Sequence, residues 1–472
     1  MKDFKVINDR PSIVIVNTPA IDVNRLEGEF YKYDYLNAID KIKKIRFLPL
    51  ENLVDDIKDG PGGWDINISD YVEQGVPMLR TINIVDGLVN LDECVFIDIE
   101  KHKQLKRSRV VKNDVLLSVR GTIGKSAVYS NNFEANINAA LVKITLKDNI
   151  IDPYFLVAFF NCKYGRLQTE RIANGAVQLN MNLTEVKSNL IPIPSPEIQK
   201  YIGDKVRKAE ELREEAKRLK KEAETFLYEM IQLKPLNDFD KDMYSFVNSN
   251  YIDSERLDSE YYKTKYITLE KLLKSKKVTS FKDIIIESKY GASVPADYTM
   301  VGIPFIRGNN LTDNEINIDD IVYLNKKLKD EVKDHHVNTG DILITRSGTV
   351  GISAVVDEKC DGFSFGSFMI KLRIDMRIWN PYYIAAFLNS FWGKWQIERL
   401  QNGAVQQNIN LQEIGRIIIP IISKENQDKI EELIKNYINK KRQSKQLIQE
   451  AKQDVEDLIE GNFDMSKVKA NS

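Results

Sequence analysis

The chain repeats itself. Residues 174–192 read NGAVQLNMNLTEVKSNLIP and residues 402–420 read NGAVQQNINLQEIGRIIIP, with eleven of nineteen positions identical 228 residues apart. A period of that length is a whole domain, so the architecture is a tandem duplication and not a solenoid of short units. The register extends beyond that window. Gly75-Val76-Pro77-Met78-Leu79-Arg80 matches Gly302-Ile303-Pro304-Phe305-Ile306-Arg307, Gly121-Thr122-Ile123-Gly124 matches Gly348-Thr349-Val350-Gly351, and Asp152-Pro153-Tyr154-Phe155 matches Asn380-Pro381-Tyr382-Tyr383. Near the start of each copy, Arg25-Leu26-Glu27 answers Arg256-Leu257-Asp258. Between these anchors the copies differ freely, which suggests one scaffold carrying two different specificities.

Each copy ends in a long, highly charged helical pattern. In the first, Ile202, Ala209, Leu212, Ala216, Leu219, Ala223, Phe226 and Met230 fall on alternating steps of four and three, with Lys205 as the one polar intruder. This is a coiled-coil seam with a solvated outer face. It begins after Ile191-Pro192-Ile193-Pro194-Ser195-Pro196, which cannot be helix interior. The second copy places Ile434, Tyr437, Ile448, Ala451, Val455 and Leu458 on the same spacing; Lys441 and Ser444 interrupt it and Gly461 closes it. About 32 helical residues span about 48 Å. Each stripe either pairs with the other or lies on its own globular domain, and the heptad spacing favours pairing. Connectivity then makes the pair antiparallel, with one globular domain at each end and a pseudo-two-fold relation between them.

The globular parts read as mixed α/β. Val115–Val119 and Asp341–Thr345 are apolar β-rich runs leading into glycine turns, and Leu141–Leu146 and Phe368–Leu372 are further strands. Pro153 and Pro381 stand where helices begin, as proline at a first helical position should.

At 43% hydrophobic and 29% charged residues the composition is that of ordinary soluble protein. No apolar run reaches the ~18 residues of a membrane span. Cys94, Cys162 and Cys360 are too scattered for a disulfide framework or metal cluster, which fits a reducing cytoplasm. The net charge of −1 is unusual for a nucleic-acid binder. Yet Lys101, Lys103, Lys106, Arg107, Arg109 and Lys112 lie within twelve residues without one acid. By itself such a cluster reads equally well as a solvated loop.

Several motifs invite a catalytic reading and fail. Gly121-Thr122-Ile123-Gly124-Lys125-Ser126 resembles the end of a phosphate-binding loop, but the glycine required five residues before Gly124 is Val119. Asn380-Pro381-Tyr382-Tyr383 resembles an amino-methyltransferase tetrad without its second proline, and no glycine-rich cofactor loop accompanies it. His335-His336 has no third ligand nearby, so the pair reads as exposed loop histidines. Nothing assembles a nucleophile, a base and an orienter. No catalytic residue, metal or cofactor is expected.

The duplicated Asn-Gly-Ala-Val-Gln with its Asn-x-Asn-Leu, Pro192-x-Pro194 and Pro420, Gln199 and Gln427 opening the helices, and the order domain, helix, domain, helix resemble the DNA-specificity subunit of type I restriction–modification systems. The resemblance covers nearly the whole chain. It departs at Ile421-Ile422, where the first copy has Ile193-Pro194. It implies target-recognition domains at 1–195 and 236–423, helical spacers at 196–235 and 424–461, and a tail at 462–472. The implied fold class is α/β: two homologous mixed α/β domains separated by a long antiparallel two-helix coiled coil. The implied partners are double-stranded DNA, two methyltransferase subunits and, through these, restriction/translocase subunits, with no membrane and no catalysis by this chain. Two rivals stand beside it: a stand-alone methyltransferase or nuclease with its own recognition domains, and a coiled-coil scaffold that touches no DNA.

Phosphate contacts position a protein on DNA, whereas base-edge contacts specify sequence. If the copies read different sequences, residues common to both cannot carry the difference. Arg80 with Arg307, and Arg120 with Arg346, are candidate phosphate or groove anchors, or else pair with carboxylates inside the domain. Gly121 and Gly348 allow a tight turn or close approach to DNA, and Thr122 and Thr349 either donate to phosphate or cap the turn. The segments Lys101–Lys112 and Lys326–Asn338 diverge and are candidate readers. The DNA-contacting set thus takes in Lys101, Lys103, Lys106, Arg107, Arg109 and Lys125 in the first copy, and Asn309, Lys333, His335, His336 and Ser347 in the second. Asn174, Gly175, Gln178 and Asn180, with Asn402, Gly403, Gln406 and Asn408, are assigned to the junction of each domain with its helix, mainly for structure.

Overall fold

The computed structural model describes residues 4–9, 12–18, 21–23, 25–62, 65–175, 179–233, 247–249, 252, 256–403 and 407–469. The chain divides into two compact units: Met1–Glu214 with Lys441–Ser472, and Glu215–Lys440.

In the first unit an antiparallel sheet runs in the order Ser126–Val128, Val115–Ser118, Leu141–Leu146, Val54–Asp59. The central strand is buried on both faces, as its uninterrupted Val-Leu-Leu requires. A second sheet runs Arg109–Val110, Ala135–Ile137, Val76–Leu79, Val95–Ile97, Tyr71–Val72, and its one parallel pairing joins Asn136 to Met78. The second unit repeats both. Ile285–Tyr290, Met369–Ile374, Ile342–Thr345 and Ser353–Val355 form the antiparallel sheet; Ser364–Phe365, Ile303–Ile306, Val322–Leu324 and Tyr298–Thr299 form the mixed one. An isolated bridge from His336 to Ser364 stands where Arg109–Val110 pairs in the first unit.

Helices Pro153–Asn161 and Pro381–Asn389 do begin at their prolines. The side chain of Asp152 accepts from the backbone N–H of Tyr154 and Phe155, and that of Asn380 from Tyr382. These caps satisfy N–H groups that a helix start leaves without partners. Gln199 and Gln427, both buried, tie each cap to the long helix that follows. Gln199 Oε1 accepts from Asp152 N–H at 2.9 Å while its Nε2 donates to the Pro194 carbonyl; Gln427 bonds Asn380 N–H at 2.8 Å and the Ile422 carbonyl in the same way.

The long helices are Pro196–Ile231 and Lys424–Glu460. Within the first unit they run antiparallel: Ser444 Oγ donates to the Ala209 carbonyl, and Lys205 Nζ bonds Asp454 at 2.6 Å. Within the second they also run antiparallel, with Lys440 against Glu215 at 3.0 Å. The seam differs from the heptad reading at three places. Val206 fills the core where Lys205 stood in the pattern, and Lys205 lies beside it, paired across the helices. At the end of the first helix Leu227 and Ile231 are buried in place of Phe226 and Met230. In the second helix Ile438 and Ile459 are buried while Tyr437 and Leu458 are half-buried. A helix of 3.6 residues per turn drifts ~20° per heptad against a strict 3.5 repeat, so the buried position slips by one.

Pairing and packing on the domain are not alternatives. Ile198, Ile202, Val206 and Ala209 share one core with Ile448, Ala451, Val455 and with Phe155 and Phe159 of the α/β domain. Leu219, Ala223, Leu227 and Ile231 likewise share a core with Ile430, Ile434, Ile438 and with Tyr383 and Phe387. Each fully buried isoleucine, leucine, valine or phenylalanine among these contributes about 1.5–3 kcal/mol, and each alanine less.

Candidate nucleic-acid interface

In both units the residues common to the two copies form one clasp. Asn174 and Asn180 exchange two backbone hydrogen bonds, at 2.8 and 2.7 Å, and Asn402 and Asn408 do the same at 2.8 Å each. The Asn174 side chain bonds Glu185 and the Asn402 side chain bonds Glu413. Those glutamates complete capping boxes with Asn182 and Asn410 at the starts of helices Leu183–Lys187 and Leu411–Gly415. The identical letters Asn, Asn, Asn and Glu of the repeat are therefore explained by local hydrogen bonding. Gln178 and Gln406 lie outside the described residues.

The clasp grips the glycine turn that joins Val115–Ser118 to Ser126–Val128 in the first unit and Ile342–Thr345 to Ser353–Val355 in the second. Met181 N–H donates to the Val119 carbonyl and Gly121 N–H to the Leu179 carbonyl; Ile409 N–H donates to the Arg346 carbonyl. Gly121 and Gly348 have φ of 76° and 81°, and a side chain on Gly348 would meet nothing, so the turn itself requires glycine there. Arg120 Nε reaches Asn180 Oδ1 at 3.3 Å, and Arg346 Nε reaches Asn408 Oδ1 at 3.3 Å. The two arginines are not register equivalents: Arg120 bridges Asn180, whereas Ser347 bridges Asn408. They arrive at the same acceptor from neighbouring positions. Thr122, Thr349 and Lys125 are exposed and Ser347 is half-buried. The structure thus joins two groups of residues that sequence reasoning kept apart, the arginine turns and the Asn-Gly segments. Polar contacts between each domain and the start of its long helix include those of Gln199 and Gln427.

Arg80 and Arg307 pin a loop. Arg80 N–H donates to Asn83 Oδ1 and its Nη2 to the Glu93 carbonyl at 3.2 Å; Arg307 uses Asn310 and the Asp320 carbonyl, the latter at 2.9 Å. The Nε of each is buried without a partner. Their guanidinium groups donate to backbone carbonyls, not to carboxylates. Asn309, two residues beyond Arg307, is exposed.

The basic segment of the first unit is not a solvated loop. It forms helix Ile99–Gln104 and a turn of 3-10 helix at Lys106–Ser108. Acids distant in sequence meet it: Lys101 lies 3.0 Å from Asp70, Arg107 pairs with Asp59, and Arg109 lies 4.0 Å from Glu134. Lys103 bonds Glu100 at 2.7 Å and Lys112 bonds Asn132. Lys106 is exposed. Beneath them sits His102, only 5% exposed, which sequence reasoning missed. Its Nδ1 meets Asn136 Oδ1 at 2.6 Å and its Nε2 meets Glu134 Oε2 at 2.8 Å. Asn136 donates its own amide to the Leu105 carbonyl and Ser108 Oγ, so the buried histidine and asparagine fix the path of the basic segment.

In the second unit, His335 and His336, which stand where Ser108 and Arg109 stand in the first, are half-buried, not exposed. His335 Nδ1 donates to the Tyr290 carbonyl at 2.9 Å, and His336 Nδ1 lies 3.1 Å from the Gly362 carbonyl and 3.2 Å from Ser364 Oγ. The bridge to Ser364 draws them inward. Lys333 remains exposed. Among the described residues no group of three His, Cys, Asp or Glu could hold a metal ion.

Two copies of one mixed α/β domain, each locked to a long helix, define a duplicated recognition scaffold. The family model for the type I restriction modification DNA specificity domain matches residues 62–225 and 237–453, so the chain belongs to that family and both halves are DNA specificity domains. It is similar to the type I restriction enzyme EcoBI specificity subunit of Escherichia coli, 31% identical over 143 residues; that match spans 30% of this chain and 30% of the relative's length. A chain of Methanocaldococcus jannaschii bearing the name of the type I restriction enzyme MjaX specificity subunit is 24% identical over 409 residues, 82% of this chain and 86% of that one. Among solved structures, the type I restriction–modification S subunit from M. genitalium is 16% identical with a TM-score of 0.48, covering 89% of this chain and 96% of that one.

Proposed function

We propose that this chain is the non-catalytic sequence-reading subunit of a type I restriction–modification complex, each domain reading one half of a bipartite, asymmetric double-stranded DNA site. The observation that carries this reading is the contrast between the two copies. The clasp, the glycine turn and the Arg80/Arg307 loop are built alike, while Lys101–Lys112 and Lys326–Asn338 differ in residue type at equivalent places, after strand Val95–Ile97 and strand Val322–Leu324 of the mixed sheets. The antiparallel helices set the distance between the half-sites. They also dock two methyltransferase subunits, and through these the restriction/translocase subunits. The domain limits are 1–195 and 236–423, with spacers 196–235 and 424–461 and tail 462–472. The chain acts in the cytoplasm. No helix among the described residues is long and apolar enough to cross a membrane.

Phosphate positioning falls to the turns at Arg120–Lys125 and Ser347–Thr349, where Arg120, Thr122, Lys125 and Thr349 are exposed, and base reading to Arg107 and Arg109. An arginine paired bidentately with guanine discriminates by about 1–3 kcal/mol. Replacing Arg107 and Arg109 with alanine is expected to relax one half-site and leave the other intact, measured by binding of the methyltransferase complex to duplexes altered in one half. Equal weakening on every sequence would assign both arginines to phosphate. Adenosylmethionine binding by the chain alone would favour a stand-alone methyltransferase, and absence of any sequence-specific footprint would favour a scaffold.

A further inference from the structure

We propose that Met300 and Val301 read thymine methyl groups in the half-site of the second unit, and that Glu73 and Gln74 hold the same reading place in the first. This assignment rests on the reading of each domain as a DNA reader.

The place is defined by backbone geometry common to both copies. Strand Val95–Ile97 has Tyr71–Val72 on one side and Val76–Leu79 on the other, and Ile97 is partnered by both Tyr71 and Val76. Strand Val322–Leu324 has the same arrangement, with Leu324 partnered by both Tyr298 and Ile303. The chain must therefore cross from one side of the central strand to the other within residues 73–75 and 300–302. That crossing runs so close to the strand beneath that a side-chain carbon on Gly75 would overlap the Ile97 carbonyl oxygen, and one on Gly302 the Leu324 carbonyl oxygen. Glycine is required at the third position of the crossing. The first two positions are thrust outward.

Those outward positions are where the copies part company. Glu73 and Gln74 are exposed in the first unit. In the second, Met300 is 94% exposed and Val301 77% exposed. Tyr71 and Tyr298 flank them in both copies, also exposed, and the Tyr298 ring centroid lies 5.8 Å from the Arg307 guanidinium. A fold that keeps the crossing and its glycine but exchanges an acid and an amide for two bare apolar side chains is not using the tip for its own stability. The central strand also leads directly into the divergent segments, Ile99–Arg109 and Lys326–His336, so the tip continues the surface assigned to base reading. The chemistry of the two pairs separates cleanly. A glutamate accepts from the cytosine amino group and a glutamine pairs with adenine, whereas apolar side chains contact the thymine methyl.

The test exchanges the tips within the full chain bound to its methyltransferase partner. M300E/V301Q and, separately, E73M/Q74V are compared with wild type by selection from a randomised duplex library, with complex assembly followed by size-exclusion chromatography. The expected result is that M300E/V301Q loses preference for an A·T pair at a position of one half-site by about tenfold, that E73M/Q74V alters only the other half-site, and that both assemble normally. Unchanged preferences, equal weakening across all sequences, or failure to assemble (the tip then being a protein contact) would each overturn the assignment. Wild type selecting no sequence at all would overturn the DNA-reading function itself, and the assignment with it.

Discussion

Insertion of four residues into each long helix, after Glu214 and after Lys440, shifts the preferred gap between half-sites and leaves both half-sites unchanged. Four helical residues add about 6 Å, close to two base steps of about 3.4 Å. The insertion sites fall where the chain passes from one compact unit to the other, so neither domain core is cut. A four-residue addition is a stutter that a coiled coil absorbs by local unwinding, and the seam on either side keeps its partners. Binding of the methyltransferase complex to duplexes with graded gaps measures the effect. The optimum is expected to move by about two base pairs, with loss of at least tenfold at the original gap. An unmoved optimum would remove the helices from any role in measuring distance.

Replacement of Asp454 by alanine is expected to destabilise the first unit by roughly 3 kcal/mol, the low end of the range for breaking a buried ion pair. Asp454 has 3% of its side chain exposed and holds Lys205 at 2.6 Å and Lys467 at 2.9 Å. Burial works against the Lys205 charge, but hydrogen bonds to Asp454 and Tyr201 outweigh it and hold the ammonium above the ordinary lysine value. Glu450, 3.2 Å from Lys205, remains as a second partner and keeps the loss from being larger. Because the folded lysine binds its proton more tightly than the unfolded one, this stabilisation is complete below about pH 10.4 and fades as alkali removes the folded proton. Urea unfolding measures both effects. K205M/D454L should unfold at or above the wild-type midpoint, since replacing both charges removes the desolvation penalty. An unshifted midpoint for D454A alone would show that the pair contributes nothing.

What the sequence disclosed was set by range. The Asn-Gly segments stood out as repeated letters, while their grip on a glycine turn distant in sequence stayed hidden. The duplication shows as matching letters 228 residues apart, and the proline helix starts depend on residues next to one another, so their letters carry their geometry. The α/β class and the antiparallel helix pair followed from those letters together with connectivity. The ion pairing of the basic segment did not. Its acids, Asp59, Asp70 and Glu134, come from segments distant in sequence, and a helical segment held by a buried histidine is invisible in a run of lysines and arginines. His335 and His336 were misread for the same reason, their acceptors being Tyr290 and Gly362. The seam was legible in outline and wrong by one residue where helical drift accumulates, at Leu227 and Ile231. Arg120 and Arg346 looked equivalent by letter, yet the bridges to Asn180 and Asn408 make Ser347 the positional counterpart of Arg120. Met300 and Val301 went unnoticed because only the strand crossing shows that they point outward.

The most direct test of a paired, distance-measuring reader is the methylation map of DNA from cells carrying this chain together with its methyltransferase. The account predicts a single motif made of two unlike specified blocks separated by a fixed run of unspecified bases. One uninterrupted block, or two identical blocks, would contradict it.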